Sequence, residues 1–149
     1  MDIQLVQNVV NLLIMSILSV EDIKRKEIRA FIVIPFIFIG ALLAFIEYKL
    51  SDIFIIFGFF IVMIIFFFIA DKGIGFGDVL TIFGLSLWAG IKTMMVIFVF
   101  SMGMLWIVSV VWLIMSKVLN KKKAKDIKIA FIPFLFLGLV VSMILEQKF

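Results

Sequence analysis

The sequence predicts an all-α, polytopic membrane protein, a bundle of six transmembrane helices built as a single domain over residues 1–149. Three observations predict it. Hydrophobic residues make up 66% of the chain and charged residues 16%, with a mean hydropathy of +1.35; a soluble domain carries about 45–50% apolar residues. Apolar runs fall at about 3–20, 30–46, 53–70, 79–90, 93–115 and 129–145. A helix needs roughly 20 such residues to cross a hydrocarbon core, fewer where its ends snorkel or the bilayer thins. Finally, the basic residues crowd onto alternate connections between the runs.

Each run has its own signature. The first, MDIQLVQNVVNLLIMSILSV, lacks a basic leading region and is longer than the apolar stretch of a secretory signal, so it reads as a retained span. The second contains Pro35 and the sixth Pro133; kinks there are tolerable where neighbouring groups satisfy the freed carbonyls. The third is almost unbroken Phe and Ile. The fourth is short, and Gly90 with Lys92 marks its separation from the fifth. The 19 phenylalanines read as packing material, facing lipid or filling gaps.

Orientation follows from charge. Lys24, Arg25, Lys26, Arg29, Lys72, Lys117, Lys121, Lys122, Lys123, Lys125 and Lys128 fall on the connections 1–2, 3–4 and 5–6, while the other side holds only Lys49, Lys92 and Lys148. The positive-inside rule puts those three connections in the cytoplasm and both termini outside, which makes the chain a multi-pass protein of the cytoplasmic membrane. The run KVLNKKKAKDIK reads as an anchor to anionic lipid, worth ~1 kcal/mol per basic residue near the surface.

The chain has no cysteine and no histidine. Disulfides, thiolate nucleophiles, Cys/His zinc sites, c-type haem and Ser-His-Asp chemistry are excluded. No cofactor, metal or nucleic-acid partner is expected. Any catalysis must use carboxylates, lysines or the single Tyr48.

Among the ten acids, Asp22 and Asp78 stand out, because each lies where an apolar run meets a cytoplasmic connection. Asp78 closes the stretch KGIGFGDV, in which Gly73, Gly75 and Gly77 alternate. Such glycines free the backbone or let another chain pass close. Taken alone, Asp78 reads as a helix cap and Asp22 as an interfacial charge among lysines. Taken together, two aspartates on one membrane face can converge on a water molecule. Close carboxylates cannot both ionise easily, so the pair shares a proton; one then draws a proton from water while the other polarises a peptide carbonyl. Side chains at Gly75 and Gly77 would obstruct a peptide held against the acid.

These stretches resemble the type IV prepilin peptidases, membrane aspartyl proteases of the GxGD class. GFGDV, Gly75 to Val79, is similar to the family's GxGD, with Trp88 and Gly90 at the family's downstream positions and Leu80 where a lysine is common. EDIKRKEI, Glu21 to Ile28, resembles the segment around the other family aspartate, with Arg29-Ala30 in place of Pro-Asn. IAFIPFLFLG, Ile129 to Gly138, resembles the last-helix motif and reads as packing behind the site.

The resemblance implies an aspartic-type endopeptidase in which Asp22 and Asp78 are catalytic. Its substrates would be prepilin-like preproteins whose short basic leader is removed at the cytoplasmic face. Gly75, Gly77, Glu21, Glu27 and Asp71 are then the expected substrate contacts, and Asp71 is the alternative partner for Asp78. Relatives that also N-methylate carry an extra cytoplasmic region with paired CxxC motifs, so no methylation is expected here. Two rivals remain. A presenilin-like GxGD protease would show Tyr-Asp, which Tyr48 does not supply, and a non-catalytic channel subunit or scaffold would want more polar residues in mid-span.

Overall fold

The computed structural model describes residues 3–25, 28, 30–69, 75–118 and 130–146, and these are helical almost throughout. The helices are α1 (Ile3–Arg25), α2 (Ala30–Glu47), α3 (Leu50–Ile69), α4 (Phe76–Val118) and α5 (Ile132–Glu146). The all-α expectation holds, but the count of six transmembrane helices does not. Three stretches, Leu5–Arg25, Leu50–Ile69 and Phe76–Met115, are long and apolar enough to cross a membrane, and α2 and α5 contribute shorter apolar helices.

The difference arises at Gly90. The fourth and fifth runs form one helical element, α4, interrupted by a single residue with φ 78° and ψ 160°. This is left-handed backbone, which glycine adopts without the steric cost of a Cβ. The break disturbs the helical hydrogen bonding, and the Tyr48 hydroxyl donates to the Trp88 carbonyl at 3.0 Å. Both arms of α4 enter the same core: Ile82 and Leu85 before the break and Met94 and Ile97 after it pack with Met15, Leu18, Val33, Ile132, Leu135 and Leu139. Ala44, Ile56, Phe83 and Leu87 form a second cluster between α2, α3 and α4.

Sequence spacing explains which faces turn inward. On α1, Gln7, Asn11, Met15, Leu18 and Asp22 are all buried, and their spacing of three or four residues makes one helical stripe. The opposite faces are apolar too. Phe31, Phe54, Phe68 and Trp106 are each more than two-thirds exposed. A water-facing surface would not tolerate so large an apolar area, whereas hydrocarbon does, and this belt marks a membrane protein.

Small residues let the helices meet closely. The α2–α4 contact is reciprocal: Phe36 fills the notch over Gly84, and Trp88 the notch over Gly40. The two rings stack with centroids 5.4 Å apart, and Trp88 Nε1 donates to the Phe36 carbonyl at 2.8 Å. On α5, a Cβ at Gly138 would lie 2.6 Å from Ser101 Oγ and 2.7 Å from the Ile97 carbonyl oxygen. Packing without voids takes the place of hydrophobic drive between helices in lipid. Pro133, expected to kink a span from within, is instead the second residue of α5, where proline disturbs no helical hydrogen bond.

Candidate active site

Asp22 and Asp78, from opposite ends of two helices, lie within electrostatic reach of each other. Asp22 sits in the last turn of α1 and is only 6% exposed. Asp78 is the third residue of α4 and half-buried. The charge on Asp22 acts directly on Asp78, so the two carboxyl groups share one electrostatic environment.

The start of α4 explains how Asp78 is held. Its N–H donates to the Gly75 carbonyl at 3.0 Å, and its Oδ2 accepts the Gly75 N–H at 3.2 Å. The side-chain bond is the half of a capping box that the third helical residue supplies, and the backbone bond closes the turn. Asp78 thus does take part in capping, but from the third position of the helix and back onto Gly75, not as the residue ahead of the helix that its sequence position alone suggested, and the bond fixes its carboxyl group. Thr81 Oγ1 donates to the Gly77 carbonyl at 2.8 Å one turn on.

The two described glycines differ. A Cβ at Gly75 would stand 3.0 Å from Asp78 Oδ2, so any side chain there crowds the carboxylate. A Cβ at Gly77 would stand 2.8 Å from the Cβ of Ile28, in the connection between α1 and α2. The space over Gly77 is thus taken by the protein itself. Glu21 is half-buried beside Asp22 on α1. Glu27, Asp71, Gly73 and the lysine run at 121–128 lie outside the described residues.

Asp22 is held by a helix that sequence reasoning assigned only to packing. Its Oδ2 accepts the backbone N–H of Ile132, the first residue of α5, at 3.0 Å. Pro133 has no N–H, and the Phe134 N–H is bonded to the Phe131 carbonyl at 3.0 Å. Asp22 thereby caps a helix 110 positions away. Pro133 was the signal that could have shown it, because proline in a first turn marks where a helix begins.

A family model for type IV leader peptidases matches residues 9–145. The chain belongs to the type IV leader peptidase family. The match runs from the first turns of α1 to the last turn of α5, so it takes in both acids and the α5 cap. No curated protein and no solved structure matches the chain. Family membership makes this a membrane peptidase and leaves no support for the channel or scaffold alternative.

A cavity of about 330 Å³ lies towards the other end of this leader peptidase, lined by Gln7, Glu47, Tyr48, Thr93 and Ser142 among others. Gln7 Nε2 donates to Glu47 Oε2 at 2.6 Å beside it. Roughly 22 Å of helical rise separates Gln7 from Asp22, so the cavity is no part of the acid pair. No cluster of metal-ligating side chains occurs among the described residues.

Proposed function

We propose that Asp22 and Asp78 form the catalytic dyad of an aspartic-type endopeptidase that removes the short basic leader of prepilin-like preproteins. The observation that carries this reading is two carboxyl groups within electrostatic reach, one buried at the end of α1 and one at the start of α4, in a chain of the leader peptidase family. One carboxylate takes a proton from water as the water oxygen bonds to the scissile carbonyl carbon. The other gives its proton to the carbonyl oxygen. As the tetrahedral intermediate collapses and the C–N bond breaks, the leaving amine takes the proton first drawn from water, and a hydroxyl proton of the intermediate returns to the other carboxylate. No acyl-enzyme and no cofactor is required.

The reaction belongs at the cytoplasmic face. α1 runs towards Asp22 and α5 runs away from it, so the ends of both helices nearest the termini lie opposite the acids. Lys24 and Arg25 follow Asp22 directly. The positive-inside rule then favours a dyad at the cytoplasmic surface with both termini outside. That is where the junction between a basic leader and the membrane-embedded segment behind it would lie. Glu21, Glu27 and Asp71 are placed in the chain to meet the basic leader, and Gly75 keeps the approach to Asp78 open. The lysine run at 121–128 would meet anionic lipid.

Cleavage of a co-expressed preprotein with a basic, glycine-ended leader, followed as a gel shift, tests the reading. Wild type and Asp71→Asn should cleave, whereas Asp22→Asn and Asp78→Asn, present in the membrane at equal levels, should not. Cleavage by either of the last two sinks the dyad.

A further inference from the structure

We infer that the hydrocarbon border on the acid-bearing side of this protein is stepped. It meets the bundle at the level of Asp22 along α1 and α5, and lies roughly 15–20 Å further out along the part of α4 beyond Gly90. The partner this surface fits is a locally thinned lipid bilayer.

The outer ends of the helices are level. Glu47 and Tyr48 of α2, Ala89 and Thr93 on either side of the Gly90 break, and Ser142 and Met143 of α5 all line one cavity. From that common level the paths to the acids are short. Between Asp78 and Gly90 the helix rises about 18 Å, and α5 from Ile132 to Glu146 rises about 21 Å. A hydrocarbon core is ~30 Å thick. With its border at the acids, this flank is therefore about 10 Å too short for an undisturbed bilayer.

Beyond Gly90 the second arm of α4 is longer. It runs back along α5 in the opposite sense. Ile97 lies against Gly138, and Ser101 Oγ donates to the Phe134 carbonyl at 2.9 Å. Phe134 follows closely on Ile132, whose N–H binds Asp22, so Ser101 and Asp22 stand within about one helical turn of the same level. Yet α4 continues to Val118, with no charged residue between Lys92 and Lys117. From Met102 to Met115 not one residue is buried, and Trp106, Ile107, Val111 and Trp112 are exposed. This apolar surface runs about 20 Å past the level of the acids, or about 15 Å if the arm leans by about 40°. A helix that is apolar all round and unburied belongs in hydrocarbon.

The other flank is polar at the acid level. Lys24 and Arg25 are exposed in the last turn of α1. Their long stems snorkel across part of the difference and no more. One level of the bundle thus carries water-seeking charge on α1, while bare aromatic and aliphatic surface extends past that level on α4. A flat border satisfies only one of the two. A bilayer that thins beside α1 and α5, as bilayers do around short spans, satisfies both. It also brings the aqueous border to the level of the acids.

Native tryptophans report one flank. Trp106 and Trp112 are exposed and Trp88 is buried, so Trp106→Phe and Trp112→Phe separate the two signals. In phosphatidylcholine vesicles, emission is quenched by acrylamide from water or by lipids brominated along the acyl chain. The chain has no cysteine, so Ile23→Cys, exposed beside Asp22, takes a single nitroxide on the other flank. Ile107→Cys takes one on the second arm. Collisions with oxygen and with a water-soluble nickel chelate are read by electron spin resonance.

Brominated lipid should quench Trp112 several-fold more than acrylamide does, although Trp112 lies beyond the acids. The nickel chelate should reach the Ile23 label several-fold more readily than the Ile107 label. In shorter-chain phosphatidylcholine the acrylamide response of Trp112 should rise while the Ile23 label hardly changes. Acrylamide reaching Trp112 as freely as a tryptophan in water overturns the inference, because the border is then flat at the acids. A shielded Ile23 label also overturns it, because the border then lies beyond the acids on both flanks. So does a Trp112 response indifferent to acyl-chain length, which would mean that protein and not lipid covers the arm. If Ile23→Cys does not fold, Lys24→Cys, exposed and one residue on, decides by the same criterion. No readout here involves cleavage, so the peptidase reading stands or falls separately.

Discussion

Gly77→Ala separates two explanations for the glycine before Asp78. The added Cβ would lie 2.8 Å from Ile28 Cβ and 3.1 Å from its Cδ1, whereas carbon atoms settle at about 3.5–4.0 Å. The connection between α1 and α2 must retreat by several tenths of an ångström. Overpacking of this kind costs ~1–3 kcal/mol. Against it stands the gain from replacing glycine in a helix, at most ~1 kcal/mol and smaller in a first turn. The net expectation is a loss of about 1 kcal/mol, read as the midpoint of chemical denaturation in micelles. The partner change Ile28→Ala removes the obstructing atoms, so the double variant should recover stability. The interaction energy between the two sites should reach ~1–2 kcal/mol in favour of the pair. Cleavage measured on the same four proteins decides what the glycine is for. If packing against Ile28 is the reason, activity returns with stability in the double variant. If the glycine instead leaves room for the substrate, activity stays low after stability is restored. An interaction energy near zero refutes the packing argument altogether.

Two further substitutions test the helix contacts. Gly90→Ala places a side chain at φ 78° with its Cβ 3.3 Å from the Tyr48 hydroxyl, and should destabilise by ~1–2 kcal/mol; an unchanged unfolding midpoint would mean that the break in α4 needs no glycine. Gly138→Ala meets Ser101 Oγ at 2.6 Å and the Ile97 carbonyl at 2.7 Å, for a cost of ~2 kcal/mol or more. Adding Ser101→Ala should restore little of it, because the carbonyl belongs to backbone that cannot rotate away; full recovery would show that the hydroxyl alone was the obstacle.

What the sequence makes legible here depends on the range of the interaction. The apolar runs require helices in a bilayer, because a spanning chain must satisfy its backbone within each segment. Their boundaries follow to within a few residues for α1, α2 and α3. The fourth and fifth runs are separated where expected, at Gly90, yet by one residue of left-handed backbone and not by a loop. The sequence shows a gap in apolarity there, and a gap does not report how many residues the turn consumes. Pro133 illustrates the converse. Apolar residues continue on both sides of it, so composition hides the helix start, which depends on which N–H groups find partners outside the helix.

The glycines show how local and long-range reasons for one residue type differ. Alternating glycines allow two uses, unusual dihedrals or close approach. Among the described residues only Gly90 has a positive φ, so Gly75 and Gly77 serve by leaving space, one beside the Asp78 carboxyl and one for Ile28. The acids follow the same logic. Asp78 is fixed by a bond three residues away, within reach of motif reading. Asp22 is fixed by one 110 positions away, which no periodicity in α1 encodes. It could occupy the end of α1 as a solvated charge if α5 began elsewhere, since its local neighbours Lys24 and Arg25 would permit that. The buried position therefore depends on α5 supplying the Ile132 N–H. Removing that donor tests how the candidate site is held more directly than another substitution of the acids.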